Sequence, residues 1–111
     1  MTSPSESSHV PAQPSRFSKS VLDIVSTIPS GKVMTYGGVA AALGSPGARA
    51  VGGVMARHGS GVGWWRVINA SGAPPRGLEE KALAHYRSEG TPLALRGDEY
   101  RVDLTRALHH L

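Results

Sequence analysis

Apolar side chains recur at helical spacing in the first third of the chain. Val21, Leu22, Val25 and Ile28 fall on one face of a segment running from about Phe17 to Thr27, and Ser15 or Ser18 can cap its start. Pro29-Ser30-Gly31 ends it, since proline at the second position and glycine at the fourth suit a type I turn. Thr35 caps a short predicted helix through Leu43, whose buried stripe is Val39, Ala40 and Leu43. Gly44 sits just past that helix, Ser45 can cap the next, and Pro46 suits its first position. The third helix extends to about His58, with Val51, Val54 and Met55 facing the core. Two helices joined by a tight turn, after an earlier packing helix, form a helix-turn-helix pattern.

Beyond it the pattern becomes more broken. Gly59-Ser60-Gly61 reads as a flexible loop, Trp64 to Ile68 as a short extended segment, and Gly72 to Gly77 as a loop with two adjacent prolines. A fourth helix covers Leu78 to about Glu89 and stops at Gly90, with Pro92 beyond. Tyr100, Val102 and Leu104 alternate with Arg101 and Asp103, which predicts an edge strand, and a last helical turn holds Leu108. Residues 1–15 are rich in Ser and Pro, lack periodicity and predict a disordered tail. That leaves 16–111 as one domain, mainly α with short β segments.

The third helix carries an unusual outer face. Arg49, Gly52, Gly53 and Ala56 lie opposite its core side, with Arg57 at the edge. Each glycine inside a helix costs about 1 kcal/mol relative to alanine, so something must offset them. A bare face lets the backbone approach a nucleic-acid groove, or alternatively another helix of the same domain. Spacing alone does not separate these two.

Charge and composition bear on the choice. Lys plus Arg outnumber Asp plus Glu by 12 to 8, which favours a polyanionic partner. Cysteine is absent, so disulfides, thiolate metal sites and thiol nucleophiles are excluded within this sequence. The five histidines show no metal-ligand spacing, and no metal or cofactor is expected. No secretory start and no membrane-length apolar run is visible, so a soluble, cytoplasmic or nuclear protein without membrane contact is expected. Aromatic residues are sparse, yet both tryptophans stand together in Gly63-Trp64-Trp65-Arg66-Val67-Ile68.

Three runs in order carry a family resemblance: Thr35-Tyr36-Gly37-Gly38-Val39-Ala40, then Ala48-Arg49-Ala50-Val51-Gly52-Gly53-Val54-Met55, then Trp65-Arg66-Val67-Ile68 with Ser71-Gly72. Over residues 17 to 104 the chain resembles the DNA-binding domain of the O6-alkylguanine-DNA alkyltransferases, a winged helix-turn-helix fold of the alkyltransferase C-terminal type. Repair alkyltransferases have Pro-Cys-His-Arg-Val where this chain has Gly63-Trp64-Trp65-Arg66-Val67. Trp64 thus replaces the alkyl-accepting cysteine and Trp65 the histidine that helps deprotonate it, while Glu89 matches the family's supporting glutamate. Tryptophan at the acceptor position marks the alkyltransferase-like proteins, which bind O6-alkylguanine without removing the alkyl group and expose it to nucleotide excision repair. Gly63 and Trp65 depart from the residues usual in that group.

The resemblance implies a non-enzymatic damage sensor that flips its target nucleotide, acts as a monomer on double-stranded DNA containing O6-alkylguanine, and engages nucleotide excision repair proteins. Arg49 would enter the base stack, Tyr36 would turn the nucleotide by its 3′ phosphate and line the lesion pocket, and Trp64 would wall that pocket. Arg76 would lie over the flipped base. Gly52, Gly53, Ala56 and Arg57 would form the DNA-facing helix surface, Arg66 an ion pair, and Trp65 a packed support. An indole offers no useful nucleophile, which leaves binding as the function. Two other readings stay open on sequence: a winged-helix regulator reading undamaged DNA, and a glycosylase or dealkylase working through Glu89 and water.

Overall fold

Helix α1, Arg16–Ser26, begins where the Ser15 hydroxyl accepts the Ser18 backbone N–H at 3.0 Å, so Ser15 is the cap. The computed structural model describes residues 15–44 and 47–111. The expected tail therefore lies outside the described residues, except for Ser15, which belongs to the helix start. The apolar stripe of α1 buries Val21 and Val25, and Ile28 just beyond it, whereas Leu22 is only partly covered.

The turn after α1 falls one residue later than the proline suggests. Lys32 N–H donates to the Pro29 carbonyl at 3.1 Å, which puts Gly31 third, with φ at +86°. A type II turn demands a positive φ at that position, so the glycine sets the turn type.

Strand β1, Met34–Thr35, runs directly into α2, Tyr36–Ala42, where the Thr35 hydroxyl accepts the Gly38 N–H at 2.9 Å. Helix α3 spans Ala48–His58 with Gly47 as its N-cap, later than a start at Pro46. The expected roles of Ser45 and Pro46 lie outside the described residues. Helices α2 and α3 pack on each other and on α1, completing the helix-turn-helix.

Two loops are more ordered in form than the sequence suggests. Gly59–Gly61 makes a 3-10 turn with Gly59 buried against Met55. The run from Trp64 is not extended: Trp64–Arg66 is a second 3-10 turn, and only β2, Val67–Ile68, is strand. Strand β2 pairs in parallel with β1, Met34 opposite Val67 and Thr35 opposite Ile68.

This two-stranded seam divides the core. Successive strand residues point to opposite sides. Met34 and Val67 join Val21, Val25, Val39, Val51 and Val54 under the helix-turn-helix. Val33 and Ile68 instead join Ala82, Tyr86, Val102 and Ala107 on the other side.

Helix α4, Glu79–Glu89, supplies Ala82 and Tyr86 to that second cluster and stops at Gly90 as predicted. Strands β3, Leu93–Arg96, and β4, Glu99–Val102, form an antiparallel hairpin about a two-residue loop at Gly97–Asp98. This is the wing. Leu104 does not extend its strand, because the Asp103 carboxylate accepts the Thr105 N–H at 3.1 Å and starts α5, Leu104–Ala107. The molecule is mainly α with short β segments, a helix-turn-helix followed by a wing.

Candidate nucleic-acid interface

A cavity of about 450 Å³ opens where α2, α3, α4 and the loop before α4 converge. That size lies within the roughly 300–1,000 Å³ of sites that enclose small ligands. Tyr36, the first residue of α2, lines one wall, and Trp64 lines another. Arg76 also lines it, so the three residues assigned to a pocket from sequence do share one. Burial raises the pKa of the Tyr36 phenol, which keeps its hydroxyl a neutral donor at physiological pH.

Local backbone structure places Arg76. Leu78 N–H closes a turn onto the Pro75 carbonyl at 3.1 Å, with Arg76 second and Gly77 third at φ +85°. The preceding loop is tied down at both ends. The Asn69 side-chain oxygen accepts the N–H groups of Ser71 and Ala73, each at 2.9 Å, and Val102 N–H donates to the Gly72 carbonyl at 2.9 Å.

The 3-10 turn sends three consecutive side chains in three directions. Trp64 faces the cavity. Trp65 stacks on His85 of α4 with ring centroids 3.6 Å apart, and its Nε1 donates to Glu89 Oε2 at 2.9 Å. Arg66 donates through Nη1 to the Ile28 carbonyl at 2.9 Å and pairs with Glu89 through Nε at 3.1 Å and Nη2 at 2.6 Å. Gly31 N–H adds a bond to Glu89 Oε1 at 3.0 Å. Gly63 makes room for this arrangement, because a Cβ there would lie 3.3 Å from the Arg66 Cδ. Trp64 rests edge-on against Trp65 and His85, so the half-buried ion pair and the stack together fix the cavity wall.

Glu89 is thus an anchor for the turn rather than a free base. Partial burial raises its pKa, but the hydrogen bonds from Arg66, Gly31 and Trp65 outweigh this and hold it below the usual carboxylate value. It is not among the cavity walls, which among the described residues include no carboxylate. The reading of an enzyme working through Glu89 and water has no geometry behind it.

The outer face of α3 divides. Gly52 and Ala56 line the cavity; Arg49, Gly53 and Arg57 do not, and both arginines are exposed. A Cβ on Gly52 would meet nothing within 4 Å, so no helix of this domain requires that glycine. At Gly53 the nearest neighbour would be the mobile end of Arg57, at 3.2 Å. Internal helix packing therefore does not explain the bare face. The small face also disfavours major-groove readout, which uses long polar side chains.

Sequence reasoning missed part of the cavity. Met55, expected in the core, is only partly buried and lines it. Leu78 and Lys81 line it as well. With His85 they follow three and four residues apart, one stripe of α4, and that spacing was the available signal.

Comparison with known proteins identifies the family. The 6-O-methylguanine DNA methyltransferase DNA-binding domain family matches residues 16–91. The DNA base-flipping protein of Escherichia coli (strain K12) is 51% identical over 59 residues, 50% of this chain and 46% of that protein. The DNA base-flipping protein of Vibrio parahaemolyticus is 42% identical over 60 residues, 51% of this chain and 60% of that protein. The chain spans about half the length of the curated relatives it matches. Schizosaccharomyces (S.) pombe Atl1, solved in complex with damaged DNA containing O6-carboxymethylguanine, superimposes with a TM-score of 0.77 at 31% identity, over 90% of this chain and 100% of that one. A second structure, of S. pombe ATL with DNA, gives 0.76 at 30% identity with the same coverage. The chain belongs to the 6-O-methylguanine DNA methyltransferase DNA-binding domain family, as an alkyltransferase-like protein.

Proposed function

We propose that this protein binds O6-alkylguanine in duplex DNA by flipping the nucleotide, leaves the alkyl group in place, and presents the lesion to nucleotide excision repair. The observation that carries the reading is the cavity. Tyr36, Trp64 and Arg76 meet in a space of ligand size, beside the bare Gly52–Ala56 stretch of α3. The named activity of the base-flipping relatives and the damaged-DNA complex of Atl1 support it.

Extruding a base costs a few kcal/mol of unstacking and unpairing. Arg49, exposed on α3 outside the cavity, is suited to fill the vacated space, and Tyr36 to bond the 3′ phosphate as the nucleotide turns. Trp64 gives the base an apolar wall, and Arg76 can stack on it for about 0.5–2 kcal/mol. Gly52, Gly53 and Ala56 let the α3 backbone approach the groove, and Arg57 adds a phosphate contact. With no cysteine in the chain and Glu89 committed to Arg66, no group at the cavity can accept an alkyl group in the family's manner. The protein acts as a monomer in the compartment that holds the DNA.

The test is binding to a short duplex with one O6-methylguanine and to its unmodified twin, followed by analysis of the recovered DNA. Tighter binding to the modified duplex, with the methyl group intact, is expected. Arg49→Ala should weaken lesion binding about tenfold with an unchanged melting temperature. Equal affinity for both duplexes would sink the sensor reading; loss of the methyl group would restore an enzymatic one.

A further inference from the structure

We infer that Lys81 makes the cavity selective for O6 adducts that end in an anion, such as a carboxymethyl group. The inference rests on the lesion-binding reading above and assigns the adduct class. Most of the wall is apolar, with Met55, Ala56, Trp64, Pro75 and Leu78 contributing. Two charged residues line it, Arg76 and Lys81, and both are cations. Among the described residues the ion pairs are Arg66–Glu89 and Arg101–Glu99, so neither cavity cation is neutralised by a protein carboxylate.

The position of Lys81 on α4 separates it from the acids next to it in sequence. Glu79 and Glu80 line a different cavity, bounded by the wing residues Asp98 to Arg101. Lys81 lies on the other side of the helix with Leu78, one turn before His85, whose ring meets the edge of Trp64. Arg76 is suited to the face of the purine, being planar. Lys81 is a flexible point charge, suited to a small anion of variable position.

A carboxylate moved against Trp64 and Leu78 without a partner loses its hydration for nothing. Beside an ammonium it gains a charge-assisted hydrogen bond, about twice as strong as a neutral one. A methyl adduct gains nothing from Lys81. The cation therefore changes the ranking of adducts rather than the affinity for all of them.

The experiment compares wild type, Lys81→Gln and Lys81→Arg on three duplexes carrying guanine, O6-methylguanine or O6-carboxymethylguanine at one position. Lys81→Gln should lose about tenfold on the carboxymethyl duplex and less than about twofold on the other two, with Lys81→Arg restoring most of the loss. An equal loss on all three duplexes would make Lys81 a phosphate contact, and no loss on any would remove it from the site; either overturns the inference. Failure of the wild type to distinguish O6-methylguanine from guanine would instead overturn the lesion-binding reading, and the inference with it.

Discussion

Glu89→Ala should lower the melting temperature by roughly 8–32 °C, the largest stability effect expected from a single polar side chain here. Its carboxylate receives Trp65 Nε1, Arg66 Nε and Nη2, and Gly31 N–H. The side chains of Arg66 and Glu89 are 21% and 10% exposed, so water can replace few of these bonds. Removing one partner of a buried pair costs about 3–5 kcal/mol because the other charge is stranded. The residual exposure of Arg66 reduces this to about 2–4 kcal/mol, and a domain of this size shifts about 4–8 °C per kcal/mol. The effect must also depend on pH in a definite sense. The Glu89 pKa is lower in the fold than the ordinary value of 4.5. Its contribution is therefore complete above about pH 4.5 and is lost as pH falls through the lower, folded value. Melting curves of wild type and Glu89→Gln should stand apart by a constant gap above about pH 4.5 and draw together as pH falls through the lower, folded value. A gap that does not narrow on acidification would mean that the carboxylate is not what holds the turn.

That ion pair also explains what was legible in the sequence and what was not. The helices were legible because their determinants are local. Val21, Val25 and Ile28 recur at helical spacing, Ser15 and Thr35 are cap residues, and Gly90 marks a helix end. Strand β1 was not, and of the extended segment predicted from Trp64 to Ile68 only Val67–Ile68 is strand, because β1 and β2 pair Met34 with Val67 across both helices of the helix-turn-helix. The 3-10 form of Trp64–Arg66 depends on distant partners as well: Ile28, Gly31 and Glu89 hold it, and nothing in Trp-Trp-Arg itself demands it. Strand β3 hid for a different reason. Ala94, Leu95 and Arg96 are all exposed, so the wing shows no apolar alternation to read. The residue opposite Leu93, Val102, is buried, and it was the β4 side alone that gave the strand away.

The site was legible as residues and not as a shape. Tyr36, Trp64 and Arg76 were assigned through family resemblance; Met55, Leu78 and Lys81, which line the same cavity, were not. Trp65 and Arg66 were assigned supporting roles, and the structure gives them one job between them. They clamp Glu89, and Trp65 also stacks on His85, so that Trp64 has a rigid backing. A wall built this way is held before any ligand arrives, which lowers the ordering cost of binding.

The glycines of α3 give the sharpest separation between folding and binding. Gly52→Ala should raise the melting temperature by about 4–8 °C while weakening lesion binding about tenfold. The first effect follows from helix propensity, worth about 1 kcal/mol, at a position where the added Cβ meets nothing within 4 Å. The second follows because that empty space belongs to the cavity shared by Tyr36, Trp64 and Arg76. Gly52→Leu carries the argument further: its side chain would enter the cavity itself, and the loss should reach about a hundredfold while the protein stays folded. Gly53→Ala is the internal comparison. Its Cβ would approach only the Arg57 guanidinium, at 3.2 Å, and Gly53 does not line the cavity. It should gain stability without the same loss of lesion discrimination, while the added methyl group, by holding the backbone off the groove, costs some affinity on every duplex alike. A lower melting temperature for Gly52→Ala would return that glycine to internal packing. Wild-type affinity in Gly52→Leu would show that the lesion binds elsewhere, since a leucine in the cavity and a flipped purine cannot occupy the same volume.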